Sequence, residues 1–202
     1  MKLENEITVE VLDTKENVIK SISNNGFKLE KEFDINDIYL VKKEFENCKN
    51  YNELLNNSIL IRDISEKPNT RKLITYKQKH IDDNGNILNQ INANVEINNI
   101  DDAYNMFKLI GYIDLMKISD HISIYQKDNG DELALQLVND RIYIEIEEKC
   151  EHTGKMYESL DYMKSIIKNL NLPIKDENYY AKKAEDILND KKENIKTKKR
   201  LI

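Results

Sequence analysis

Residues 143–149 read YIEIEEK, and residues 3–11 read LENEITVEV. In the first, Tyr143, Glu145 and Glu147 alternate with Ile144 and Ile146. In the second, Glu4, Glu6, Thr8 and Glu10 alternate with Leu3, Ile7, Val9 and Val11. A period of two marks a β-strand with one face in an apolar layer and the other in a polar one. Two strands from distant parts of the chain therefore each carry a row of carboxylates. Such rows are either solvated faces laced with salt bridges or walls that face each other inside a curved sheet.

Other stretches extend the pattern. One polar row holds Asn92, Asn94, Glu96 and Asn98, another Leu73, Thr75, Lys77 and Lys79, and a third Leu60 and Arg62. Ile, Leu and Val dominate the opposite rows. Strand signals fall at 4–12, 28–43, 58–64 and 71–79, then at 114–126, 132–138 and 141–149. EKPNT (66–70), DDNGN (82–86) and KDNGD (127–131) supply turns. Residues 13–27 read as a helix, with Asp13 or Thr14 as N-cap, an apolar stripe of Val18, Ile19 and Ile22, and Gly26 as a stop. CKNYNELLNN (48–57) reads as a loop or short helix.

The phrase TVEVLDTKENVIKSISNNGF (8–27) returns as NANVEINNIDDAYNMFKLIGY (92–112). Val9 lies 17 positions before Gly26, and Val95 lies 16 before Gly111. Two β-α-β-β-β halves, about 1–90 and 91–150, are expected. Two copies are too few for a solenoid, so a single closed or highly curved antiparallel sheet is the expected architecture. Its helices need an apolar surface, so they pack outside and leave the polar rows to solvent or to a barrel interior. Helices are expected at 155–171 and 181–193, joined by the Pro-marked LPIKDENYY (172–180).

Bulk properties narrow the options. The chain has 202 residues, 34% of them charged, and a net charge of −6, which argues against a general nucleic-acid binder. No apolar run approaches the roughly 18 residues a membrane helix needs. Two cysteines, Cys48 and Cys150, and a start without a basic-then-apolar leader point to the cytoplasm. A barrel lined with carboxylates makes chemical sense when clustered Glu holds Mg²⁺ or Mn²⁺ while Arg and Lys bind phosphate. Without a cation, packed carboxylates repel one another.

The order of motifs carries a resemblance. The chain resembles the CYTH superfamily of class IV adenylyl cyclases and thiamine triphosphatases, the triphosphate tunnel metalloenzymes. ENEIT (4–8) stands at the family's Glu-x-Glu-x-Lys, and NDIYL (36–40) looks like its Asp-x-Tyr segment. SILIR (58–62) is similar to Ala-Leu-Arg-x-Arg, and LITYK (73–77) to Leu-Thr-x-Lys. VEINNIDDAYNMFKLIGY (95–112) resembles the second-half strand and helix. LALQLVNDRIYIEIE (133–147) resembles the closing hairpin, and NYYAKKAEDIL (178–188) the C-terminal helix. The match is collinear over about residues 3–188.

The resemblance implies an α+β fold: an eight-stranded antiparallel β-barrel, the triphosphate tunnel, with helices outside and C-terminal helices at 155–188. Residues 189–202 would form a basic tail. It implies metal ligands Glu4, Glu6, Glu145 and Glu147 for Mg²⁺ or Mn²⁺, and phosphate contacts from Arg62 and Lys77. Thr8, Glu10, Thr75, Glu96, His121, Gln136 and Tyr143 would also line the tunnel. His121, on one face with Ser119 and Ser123, reads as a proton carrier or as a hydrogen-bonded strand histidine.

The implied partner is a small-molecule triphosphate or nucleotide, with a homodimer as an optional assembly and neither nucleic acid nor membrane. The implied activity is a metal-dependent triphosphatase or an adenylyl cyclase-like reaction. The sequence also departs from the family pattern. Thr8 replaces the first-strand lysine, Leu60 the first arginine of the Arg-x-Arg pair, Asn92 and Asn94 part of an acidic row, and Gln136 an aspartate. The family's Lys-Arg step falls near Asp120 and His121. These departures support the alternative, a non-catalytic phosphate- or nucleotide-binding protein with a regulatory or adaptor role.

Overall fold

The structure, a computed structural model, describes residues 3–4, 6–81, 87–148, 150, 153–179 and 181–190; at 3–4, 79–81 and 87–90 it describes the backbone alone. The turn at 82–86 and the tail beyond 190 lie outside the described residues. The first half comprises β1 (Leu3–Glu4), β2 (Glu6–Val11), α1 (Lys15–Asn24), β3 (Lys28–Lys42), α2 (Tyr51–Asn56), β4 (Ser58–Glu66) and β5 (Asn69–Ile81). The second comprises β6 (Ile87–Glu96), α3 (Ile100–Leu109), β7 (Tyr112–Gln126), β8 (Glu132–Val138) and β9 (Arg141–Glu147). Then come α4 (Leu160–Asn169) and a helical stretch at 183–190.

Local chemistry explains the punctuation. Thr14 caps α1, its side chain accepting from the Asn17 N–H, and Asn99 and Ser159 do the same for α3 and α4. The Gly-aromatic signals are real stops. Gly26 and Gly111 hold φ of +82° and +96°, where a side chain would be strained, and turn each helix into the long strand that follows.

Strand order is β1-β6-β5-β4-β3-β7-β8-β9-β2, all antiparallel. The duplication shows in the pairing: the first strand of each half pairs with the last strand of the other, β2 with β9 and β6 with β5. The two 15-residue strands β3 and β7 pair between the halves. β1 and β2 are consecutive pieces of the N-terminal segment, yet they stand at opposite ends of the order, so the sheet curls back toward its start.

The other edge of β2 is taken by the C-terminal segment. Thr8 N–H donates to the Tyr179 carbonyl and Ala181 N–H to the Thr8 carbonyl, both at 2.9 Å. Lys175 N–H donates to the Glu10 carbonyl at 2.9 Å, and Leu12 N–H to the Pro173 carbonyl at 2.8 Å. The expected connection at 172–180 is thus also a strand-like cover for an otherwise unpaired edge.

Helices α1, α3 and α4 sit on the convex side. Val18 and Ile22 of α1 and Met163, Ile166 and Ile167 of α4 pack on Ile7, Val9, Leu135, Ile144 and Ile146. Ala103 and Phe107 of α3 pack on Leu40 and Ile61. Each fully buried aliphatic side chain contributes about 1.5–3 kcal/mol, so these two patches set which face of each strand turns inward. A third cluster lies inside the curve. Met116, Ile118, Val138 and Tyr143 meet Ile187 and Leu188 of the last helical stretch, which packs one end of the interior shut.

Candidate functional site

Packing the apolar rows against helices leaves the alternate rows around a cavity of about 570 Å³. Alternate residues from Lys31 to Tyr39 on β3, from Ser58 to Glu66 on β4 and from Ile118 to Ile124 on β7 line it. Glu6, Gln136, Glu145 and Glu147 come from β2, β8 and β9. The strand order sets β9 four places from β4, so an acidic wall stands across the interior from Arg62.

The acidic wall follows from register. Glu6 lies directly opposite Glu147, and Thr8 opposite Glu145, in the β2–β9 ladder. Like charges directly opposite on one face are destabilising. Glu6, Glu145 and Glu147 each offer an oxygen within 4.8 Å of the others, the hard-oxygen donor set that Mg²⁺ or Mn²⁺ takes. Glu145 is closely held. Thr8 Oγ1 donates to it at 3.2 Å, Gln136 Nε2 at 3.0 Å and Lys183 Nζ at 2.6 Å. Lys183 Nζ also donates to Gln136 Oε1. Burial works against the Lys183 charge, but Glu145, Asp120 and Glu6 outweigh it and hold the pKa above the usual lysine value.

Two cations of the basic wall are matched within it. Arg62 forms a two-pronged pair with Asp37, its cross-strand neighbour, and Lys31 pairs with Glu66 at 2.7 Å. Burial works against the Arg62 charge, yet its bonds to Asp37 keep the guanidinium protonated. Lys77 and Arg71 line the same cavity from β5.

Asp120 enters between the walls. Its Oδ1 is buried with no hydrogen-bond partner among the described residues, and burial pushes its pKa up to about 6 even though Lys183 acts the other way.

The structure thus brings Arg62, Lys77, Glu6, Glu145, Glu147 and Gln136 together around one cavity. Thr8 is buried at its edge on Glu145. Thr75 is buried and donates to Asn94 Oδ1 at 2.8 Å, tying β5 to β6. The Glu4 backbone pairs with Gln90, and its side chain lies outside the described residues.

Four expected lining positions are corrected. His121 is on the outer face, its Nδ1 2.8 Å from Asp34 Oδ1. The side chains are 37% and 61% exposed, so water reaches this pair and the polar row that elsewhere turns inward is here the outer one. Glu10 points inward but is buried at the packed end, neutralised by Arg141 at 3.1 Å and Lys175 at 2.7 Å. Tyr143 is fully buried beside it, its hydroxyl 3.4 Å from Asp186. Glu96 is exposed, opposite Leu73 and outside the cavity lining.

Sequence reasoning missed Asp37, Asp120 and Lys183 as site residues. Asp37 and Asp120 were legible by parity from Tyr39 and Ile118. Lys183 had no local signal, since its segment reaches the cavity by pairing with β2.

A curved antiparallel sheet of two β-α-β-β-β halves, enclosing a cavity with an acidic and a basic wall, defines an α+β tunnel protein. This is the fold of the CYTH-type triphosphate tunnel proteins, and solved structures match it over nearly the whole chain. The PH1819 protein from Pyrococcus horikoshii aligns with a TM-score of 0.63 at 17% identity, covering 84% of this chain and 92% of that one. The HpAC1 protein from Hippeastrum, assigned as an adenylyl cyclase and described as having a dominant triphosphatase activity, aligns with a TM-score of 0.60. Its identity is 10%, and the alignment covers 93% of this chain and 95% of that one. A chain of the Schizosaccharomyces pombe Mediator head module aligns with a TM-score of 0.52 at 9% identity, covering 84% of this chain and 92% of that one. No family model and no curated protein matches the sequence.

Proposed function

We propose that this protein binds a triphosphate-containing small molecule together with Mg²⁺ or Mn²⁺ in the tunnel. The carrying observation is the Glu6–Glu145–Glu147 cluster within 4.8 Å, standing across the cavity from Arg62. Those three carboxylates would hold the cation, which supplies charge neutralisation at the phosphate oxygens. Arg62 and Lys77 would meet the remaining phosphate charge. In-line attack by water on the terminal phosphorus, breaking its bridging P–O bond and releasing phosphate, gives hydrolysis, and attack by a ribose 3′-hydroxyl on the α-phosphorus, expelling pyrophosphate, gives cyclisation. Both use the same clamp.

The test is calorimetry with Mn²⁺ and tripolyphosphate, thiamine triphosphate or ATP, followed by assays for released phosphate and cyclic nucleotide. Micromolar binding at one site supports the reading, and no binding of any of the three compounds ends it.

A second reading has its own observation. Arg62 is tied to Asp37 by bonds of 2.7 and 2.6 Å, and Thr8 and Leu60 add no cation. A tunnel whose Arg62 and Lys31 are each matched by an acid would bind anions weakly and turn them over slowly, if at all. The likeness to a chain of the Mediator head module supports this view, since one fold serves several functions. Binding without turnover in the assays above would select it.

A further inference from the structure

The acidic wall already holds a cation of the protein's own. Lys183 Nζ stands 2.6 Å from Glu145 Oε2, and the same ammonium bonds Gln136 Oε1, itself opposite Tyr143 on β8 and β9. Its delivery is structural. The Ala181 N–H bonds the Thr8 carbonyl, and Thr8 Oγ1 bonds Glu145, so the C-terminal segment and the acidic wall share one residue of β2. Two residues further on, Lys183 opens the helical stretch 183–190. Ile187 and Leu188 of that stretch are buried against Met116, Ile118 and Val138. An ammonium so placed screens the carboxylates that repel one another across the β2–β9 ladder, the service a divalent ion would perform there.

We infer that Lys183 is the resident cation of this wall, so that a divalent ion and the C-terminal segment compete for Glu145. The inference rests on the proposed tunnel function and adds a built-in control to it. Metal entry displaces the Lys183 ammonium and loosens the helical stretch that seals one end of the interior. By linkage, whatever stabilises that stretch weakens metal binding by the same factor. The same chain therefore sets its own metal demand through a side chain outside the barrel strands.

The experiment titrates Mn²⁺ into the full-length chain, with free Mn²⁺ read by electron paramagnetic resonance, for wild type, Lys183→Met, Lys183→Gln and Lys183→Arg. Met and Gln should tighten Mn²⁺ binding about 10-fold, and Arg should keep the wild-type affinity. Glu145→Gln added to Lys183→Met should abolish the gain. Hydrogen exchange on the wild type needs no variant: Mn²⁺ should speed amide exchange at 183–190. Equal Mn²⁺ affinity in wild type, Met and Gln, or a gain that survives Glu145→Gln, overturns competition while leaving the proposed metal site standing. No Mn²⁺ binding by any form overturns both. Unchanged or slower exchange at 183–190 on Mn²⁺ addition also overturns the coupling.

Discussion

Arg62 Nε and Nη2 lie 2.7 and 2.6 Å from the two carboxylate oxygens of Asp37, the residue directly opposite it in the β3–β4 ladder. The Nε and Nη2 edge of this cavity-lining cation is therefore already committed to a carboxylate, in a pair whose side chains are 19% and 6% exposed. Taking one partner from a buried pair leaves an uncompensated charge. Asp37→Asn should lower stability by about 3 kcal/mol, measured by urea unfolding. Tripolyphosphate should restore much of that loss in the variant and little in the wild type. At 100 times the dissociation constant, a ligand adds about 2.7 kcal/mol. A variant that tripolyphosphate does not rescue would show that the freed Arg62 does not reach phosphate.

Asp120 gives a pH-dependent counterpart. Burial raises its pKa from 3.8 to about 6 in the folded state. The folded protein therefore binds this proton more tightly than the unfolded chain, and stability is lost as pH rises from about 4 to about 6. The penalty at pH 7 is on the order of 2–3 kcal/mol. Asp120→Asn, which removes the charge and keeps the shape, should raise stability at pH 7 by up to that amount. The gap to wild type should close by pH 4. Thermal melts of both proteins from pH 4 to 8 check this, and a constant gap would show that Asp120 does not titrate in this window.

How far the sequence foretold this arrangement depends on what covers each strand. Where α1, α3 and α4 press on the sheet, the outer row must be apolar, and alternation in β2, β4 and β9 showed the inner row directly. β7 offers no such contrast. Ile118, Asp120 and Ile122 face inward while Ser119, His121 and Ser123 face out, so the inner row mixes types and the outer one is polar, exposed at Ser119 and half-exposed at His121. The polar row there was read as the tunnel wall, which put His121 on the wrong face. Glu10 and Tyr143 turn inward, but they pack at the closed end instead of lining the cavity, because Arg141, Lys175 and Asp186 meet them there and the approach of those residues is set by tertiary structure. Lys183 was hidden for the same reason, since nothing in KKAEDIL distinguishes it from a solvated helical lysine.

The substitutions at Thr8 and Leu60 can be reversed. Both side chains are buried, 3% and 2% exposed, and Leu60 lines the cavity on the same row as Arg62. Thr8→Lys with Leu60→Arg should tighten tripolyphosphate binding about 10-fold or more, because one cation joins Arg62 on its row and the other enters beside Glu145, where Thr8 now stands. Stability should fall by about 2–4 kcal/mol from the lost Leu60 packing and the buried charge. Calorimetry and urea unfolding on the same preparations read both effects. Unchanged affinity in a folded double variant would mean that phosphate does not reach this stretch of the tunnel.

The C-terminal segment supplies the last prediction. Ala181 donates its N–H to the Thr8 carbonyl at 2.9 Å, the backbone bond to β2 that lies nearest in sequence to Lys183 among the described residues. Proline has no N–H and fixes φ near −65°, so Ala181→Pro removes this bond and leaves the buried Thr8 carbonyl without its donor. The cost should be about 1–3 kcal/mol, concentrated in the C-terminal segment. Among the described residues, the helical stretch 183–190 holds its place through Ile187 and Leu188, the Lys183–Glu145 pair and the Arg141–Asp190 pair, with no backbone bond to β2 beyond residue 181. Limited proteolysis should therefore cut Ala181→Pro after Lys182 or Lys183 before any site in the barrel, leaving residues up to that point folded. If the variant is cut no faster there than wild type, the side-chain contacts alone hold the segment, and the β2 edge is a cover rather than a latch.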